Sequence, residues 1–202
     1  VYAVTEGIDE SYLREPPEFE GHFDPHVWMD VGAWSKCVEF VAQSLSEFDP
    51  DGEPAYCENA AQYREKLADL HRYIEGSISS IPEEQRVLIT AHDAFGYFAR
   101  AYTIDVRSVQ GLSTESSAAV DDINKLVDFI VERKIQAIFV ESSVSKKNME
   151  AITLREEYSP PLMRILLKAN AAGNLCTVTA NNITSVRSSI CPAPMANPSK
   201  RL

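Results

Sequence analysis

The feature that most constrains the fold is a long amphipathic helix predicted after Pro54. Apolar side chains recur there at every third or fourth position over about six turns. The stripe consists of Tyr56, Ala60, Tyr63, Leu67, Leu70, Ile74 and Ile78. It stops before Pro82, because proline lacks the backbone N–H group that a helix interior requires. One helix of this length predicts a rigid connection between two parts of the fold.

Beyond Pro82 the pattern alternates between short apolar runs and amphipathic helices. The predicted order is a strand at 86–90, a helix from Asp93, a strand near 104–108, a helix at 118–134 and a strand at 136–140. Nearly continuous apolar strands that alternate with helices are typical of a parallel sheet covered on both faces. The predicted class is therefore α/β.

The two ends of the chain have weaker patterns. Residues 1–5 resemble the end of a core strand, and spacings of three and four from Trp28 to Leu45 predict a helix that stops near Pro50. After Tyr158 the periodicity weakens, and only 177–183 resembles a strand.

Charge and cysteine spacing restrict the function. The 19 basic and 30 acidic residues give a net charge of -11, which disfavours binding to nucleic acid and favours cations as ligands. The sequence contains no apolar run long enough to span a membrane and no signal-like leader. No cysteine pair has Cys-x-x-Cys spacing, which argues against a zinc ribbon and leaves free thiols or two disulfides open for Cys37, Cys57, Cys176 and Cys191.

Two histidines are candidate metal ligands. His92 directly follows a predicted strand, at the edge where open α/β sheets bind ligands, and His26 precedes a predicted helix. Neutral imidazole is a common ligand for transition metals, although a hydrogen-bonded surface histidine is the alternative for each. Asp93 is expected to cap the next helix. For His71 the favoured interpretation is a solvated helix face, and for His22 a non-ligand in an irregular loop.

Glu141 follows the next apolar strand and is expected near the same rim. It could bind a metal, pair with Lys146, or act as general base in a metal-dependent hydrolase. The sequence carries no zinc-protease motif, no nucleophile elbow and no phosphate-binding glycine loop. The hydrolase is therefore the alternative hypothesis.

Five segments, in this order, resemble the zinc/manganese solute-binding proteins of ABC metal importers. They are DPHVW at 24–28, DP at 49–50, LITAHDAFGYF at 88–98, QGLSTE at 110–115 and FVESSV at 139–144. The resemblance covers residues 1–157. It implies two parallel-sheet α/β lobes joined by one long rigid helix. Residues 1–53 would end a truncated N-terminal lobe, 54–80 would form the linker helix, and 81–202 would form the C-terminal lobe, atypical over 159–202.

The resemblance also implies a function. The chain would belong to a non-enzymatic protein that captures zinc or manganese as cargo and delivers it to the membrane subunit of an ABC permease. His26 and His92 would be the metal ligands, one from each lobe. The implied location is the periplasm or the cell surface, with or without a lipid anchor, and the implied state is a monomer.

Two departures from the family pattern concern the ligand set. Members carry a further histidine ligand earlier in the N-terminal lobe, for which this chain has no counterpart, and a C-terminal carboxylate where this chain has Ala193. A transition metal usually needs about four protein ligands. We therefore expect weak or no specific binding by this chain alone, with the choice between zinc and manganese left open.

Overall fold

The computed structural model describes residues 1–17, 21–111, 120–135, 137–141, 152, 163–169 and 175–180. The helices within these residues are α1 (Val31–Phe48), α2 (Glu53–Ser79), α3 (Gly96–Tyr102) and α4 (Val120–Glu132). The strands are β1 (Val87–His92), β2 (Asp105–Gln110), β3 (Ala137–Glu141), β4 (Met163–Ala169) and β5 (Leu175–Ala180). This order of elements confirms the α/β prediction downstream of Pro82.

Helix α1 begins at a side-chain cap. The Asp30 carboxylate accepts hydrogen bonds from the backbone amides of Gly32 and Ala33, at 2.9 and 3.1 Å. Trp28 was wrongly included in this helix. It lies in a preceding 3-10 turn and is 48% exposed, and the cap at Asp30 makes the helix begin at Val31, three residues later.

Helix α2 confirms the predicted long helix. Its 27 residues correspond to a rod of about 40 Å, and it packs against α1. Leu67 is its only buried residue and lies in one cluster with Val31 of α1 and Tyr102 of α3. Leu70, on the predicted apolar stripe, is exposed. No helix in the described ranges has the length and apolar character required to cross a bilayer.

The strands form parallel and antiparallel pairs. β1 pairs with β2 in parallel from Val87 opposite Asp105 to His92 opposite Gln110. β3 pairs with β4 in parallel, and β3 also approaches β1. The pair β4–β5 is antiparallel, which differs from the all-parallel prediction because a short connection can join antiparallel strands without a crossover helix. The apolar core of this part combines β1, β2, α4 and β3.

The predicted strand at 1–5 is wrong. A 3-10 helix forms at Val4–Gly7, with the Ile8 amide donating to the Thr5 carbonyl at 3.0 Å. A strand needs a neighbouring backbone as partner, and no strand of the described chain lies beside these residues. The local turn satisfies the backbone groups instead.

The end of β1 also differs from the prediction. β1 continues through His92 because its parallel partner β2 extends to Gln110, so α3 begins only at Gly96. The N-cap position is Phe95, without a side-chain hydrogen bond, and Asp93 lies two residues before it. The Asp93 amide donates to the Gln110 carbonyl at 3.1 Å.

Tyr102 connects α3 to α2. Its side chain is buried, and its hydroxyl lies 3.0 Å from His71 Nδ1, while His71 Nε2 lies 3.4 Å from Glu75. Burial, together with the negative charge of Asp30, raises the pKa of Tyr102 to about 12. The His71 side chain is 37% exposed beside Glu75, in line with the predicted solvated face, while α3 brings Tyr102 against the other ring nitrogen.

We expect Leu67→Ala to lower the free energy of unfolding by about 2–5 kcal/mol, because it removes the buried side chain that joins α2 to α1 and α3. Leu70→Ala, at an exposed position of the same helix, should cost less than about 1 kcal/mol. Urea unfolding of both variants measures the difference. Equal losses would show that the cluster around Leu67 does not stabilise the fold.

Tyr102 should make stability depend on alkaline pH. The folded chain holds the phenolic proton more tightly than the unfolded chain, so this contribution is complete below pH 10.0 and is lost as pH rises towards about 12. We expect Tyr102→Phe to lose less stability across this window than the wild type does. Urea unfolding at several pH values tests this, with Tyr73→Phe, at an exposed position, as the control. Parallel curves for wild type and Tyr102→Phe would contradict the assignment.

Candidate metal site

The fold brings the two predicted histidines together. His26 precedes the 3-10 turn before α1, and His92 is the last residue of β1. Their ring centroids lie 5.6 Å apart with an interplanar angle of 67°. Two imidazoles on one tetrahedral zinc ion place their centroids about 5 Å apart, given Zn–N bonds of about 2 Å. The observed spacing therefore suits a shared ion with little movement.

Asp24 orients the His26 ring. Its Oδ1 atom lies 2.8 Å from His26 Nδ1 and accepts the His26 backbone amide at 2.9 Å. Because an ionised carboxylate only accepts hydrogen bonds, the hydrogen bond places a hydrogen on Nδ1, and the neutral tautomer compatible with it has its lone pair on Nε2. Metal-binding histidines commonly donate their second ring nitrogen to a carboxylate in this way. The His26 side chain is 12% exposed, with Trp28 packed edge-on at 5.3 Å between ring centroids.

The Asp24 carboxylate has no solvent exposure and is held by a cation. Its Oδ2 atom lies 2.6 Å from Nη1 of Arg14. Removing a charge from water is costly unless it is paired and hydrogen-bonded, and Asp24 meets both conditions through Arg14 and His26. The Asp24 amide also donates to the Arg14 carbonyl at 2.8 Å, which closes the loop between them.

No further candidate whose side chain is described completes a three-ligand group with this pair. His22 is exposed, and His71 contacts Tyr102 on α2. Within the described residues, no group of three or more histidine, cysteine or acidic side chains is arranged to hold a metal ion. The Glu141 side chain and the segment around Ala193 lie outside the described residues.

The two cysteines with described side chains, Cys37 and Cys57, complete no three-ligand group with this pair. Cys37 and Cys57 are free thiols, the first buried and the second exposed. Burial raises the pKa of the Cys37 thiol, so the protonated form is favoured. The side chains of Cys176 and Cys191 lie outside the described residues.

Sequence reasoning did not predict the roles of Asp24 and Arg14. Asp24 stands two residues before His26, a spacing at which an aspartate can accept hydrogen bonds from the backbone ahead of it. That local signal was available in the DPHVW segment. Arg14 offered none, because it reaches Asp24 only through the folded loop.

Comparison with known proteins decides the family. The profile of zinc-uptake complex component A, periplasmic (ZnuA) matches residues 1–186. The chain belongs to this family. The five ordered segments therefore carry a genuine family resemblance. The ZnuA-type α/β fold and its long connecting helix account for the elements from α1 to β3.

Several characterised members are similar to this chain. The zinc-binding protein TroA of Treponema pallidum is 45% identical over 152 residues, which cover 75% of this chain and 49% of TroA. The manganese-binding lipoprotein MntA of Bacillus subtilis is 42% identical over 151 residues, which cover 74% of this chain and 49% of MntA. The chain thus spans about half the length of these relatives.

Solved structures give the same fold. The periplasmic zinc-binding protein TroA of Treponema pallidum superposes with a TM-score of 0.75 at 40% identity, over 82% of this chain and 60% of that chain. Fe(III)-bound YtgA of Chlamydia trachomatis gives a TM-score of 0.69 at 29% identity, over 81% and 60% of the two chains. The family's two-lobe α/β architecture with a connecting helix, predicted from the sequence, is confirmed.

We expect Asp24→Asn to lower the free energy of unfolding by about 3–5 kcal/mol, because Arg14 would lose its buried charge partner. Asp69→Asn removes an exposed carboxylate paired with Arg72 and should cost less than about 1 kcal/mol. Urea unfolding compares the two variants. Similar small losses would mean that the Arg14–Asp24 pair does not stabilise the fold.

Proposed function

We propose that the protein to which this chain belongs captures zinc or manganese outside the cytoplasmic membrane and delivers it to an ABC permease. The observation that carries this proposal is the meeting of His26 and His92, whose ring centroids lie 5.6 Å apart although each comes from a different part of the chain. The similar proteins TroA and MntA are named as zinc-binding and manganese-binding. Imidazole suits both ions, so zinc and manganese remain joint candidates.

In this proposal His26 and His92 are the metal ligands. His26 binds through Nε2, because Asp24 occupies Nδ1. Two imidazoles leave the remaining coordination positions of an ion to water, so this chain should hold the metal loosely. Loose retention is compatible with cargo that must be released to a partner. The proposed division is 1–53 for the end of the N-terminal lobe, 54–80 for the linker helix and 81–202 for the C-terminal lobe.

Membership of a metal-uptake family supports a non-enzymatic role. The rival hypothesis, a metal-dependent hydrolase, would require a general base beside the ion, and its candidate, Glu141, has a side chain outside the described residues. The net charge of -11 favours a cation and disfavours nucleic acid. We propose a monomer in the periplasm or on the cell surface, lipid-anchored as the name of MntA indicates for that relative.

The test is a titration with Mn(II), observed through the histidine ring signals in NMR spectra. A paramagnetic ion broadens the signals of nuclei near it, even when it binds loosely. We expect His26 and His92 to broaden together at the lowest Mn(II) concentrations, before His22 and His71. Added Zn(II) should restore both signals by displacing Mn(II).

The matched variants are His26→Ala and His71→Ala. The first should abolish the preferential broadening of His92, and the second should leave it unchanged because His71 lies against Tyr102. Equal broadening of all histidines, or preferential broadening of His92 that survives His26→Ala, would refute the proposed metal site.

A further inference from the structure

We propose that Arg14 is a positioning residue for both histidines. Its guanidinium group would hold Asp24, and through it His26, against the N-terminus of α3, which begins four residues after His92. This inference rests on the proposed metal-capture function but concerns a residue that does not touch the metal. In this inference the Arg14 side chain sets the distance between the rings of His26 and His92.

The first step of the argument is the connection from Arg14 to His26. The Asp24 carboxylate binds Arg14 through Oδ2 at 2.6 Å and His26 Nδ1 through Oδ1 at 2.8 Å. Each oxygen therefore has its own partner. Displacement of the guanidinium group would leave the carboxylate held only through Oδ1, by the backbone amide and Nδ1 of His26.

The second step is the contact between Arg14 and Gly96. A Cβ atom at Gly96 would lie 1.2 Å from Nη1 and 2.0 Å from Cζ of Arg14. The guanidinium group therefore stands directly against the backbone at the start of α3. Any other residue type would place its Cβ atom where the guanidinium group stands, so Arg14 would have to move.

The third step is Tyr97, which is fully buried beside this contact. Its hydroxyl accepts the Arg14 amide at 2.9 Å and donates to the Asp24 carbonyl at 3.1 Å. One side chain from α3 thus holds both ends of the loop from Arg14 to Asp24. The Ala94 amide donates to the His92 carbonyl at 3.0 Å, which keeps the segment between His92 and α3 compact.

Two variants displace the guanidinium group in different ways. Arg14→Gln removes it, and Gly96→Ala should push it away from Asp24 while leaving Arg14 in the sequence. Because the clashing atoms are the end of a flexible side chain, Gly96→Ala should still fold. The controls are Arg64→Gln, which removes a guanidinium group that links α2 to Glu39 of α1, and Gly76→Ala, where a Cβ would meet nothing within 4 Å.

Three measurements are made on each variant. The first is the nuclear Overhauser effect between ring protons of His26 and His92, and the second is the His26 tautomer from nitrogen-15 ring shifts. The third is the Mn(II) concentration that half-broadens the two rings. We expect Arg14→Gln and Gly96→Ala to lose the Overhauser effect, to mix the His26 tautomers and to need about 10–100-fold more Mn(II). The controls should behave as the wild type.

The outcomes separate this inference from the proposed function. If Arg14→Gln and Gly96→Ala fold and keep the Overhauser effect, the tautomer and the Mn(II) response within about twofold, Arg14 has no positioning role. Failure of both variants to fold would also overturn the inference, because the contact would then serve the fold alone. If the wild-type chain shows no preferential broadening, metal capture fails, while the first two measurements still decide the role of Arg14.

Discussion

The buried carboxylate of Asp24 is the interaction on which the candidate site depends. A charge with no solvent exposure is tolerated only where partners replace the lost water, and Arg14 and His26 are those partners. The pair with Arg14 holds the loop, and the contact with His26 sets the ring orientation. The need of the buried Asp24 carboxylate for partners therefore determines both the packing of the loop from Arg14 and the orientation of the His26 ring.

The second histidine is placed by sheet geometry. β1 stays paired with β2 up to His92 opposite Gln110, which holds His92 at the carboxyl end of a parallel strand. α3 then contacts the N-terminal segment through Tyr97, whose hydroxyl accepts the Arg14 amide. Tyr102 of the same helix packs in one cluster with Leu67 of α2. The packing of these elements therefore brings the rings of His26 and His92 close together. A preformed pair of ligands loses little conformational entropy on binding an ion.

Most elements were predictable because their signals are local. The bounds of α2 and the alternation from β1 to β3 follow from apolar periodicity, and the predicted segments differ from the observed ones by a few residues at their ends. The errors arose where a partner decided the outcome. Residues 1–5 lack a neighbouring strand among the described residues. β1 extends beyond its apolar run to His92 because β2 remains paired with it up to Gln110. β5 overlaps the weak strand pattern at 177–183, whereas β4 was not predicted, and the pairing of the two strands is a contact that local periodicity does not record.

The sequence by itself determined the α/β class, the long connecting helix, the two histidine segments and, through five ordered motifs, the family. Those properties depend on periodicity and on residues close together in the chain. Only the tertiary structure decided that the rings of His26 and His92 lie 5.6 Å apart, that Asp24 occupies Nδ1 of His26, and that Gly96 leaves space for Arg14. The reason is distance along the chain: Arg14 and Tyr97 are 83 positions apart, and no local pattern records a contact that forms only when separate elements pack.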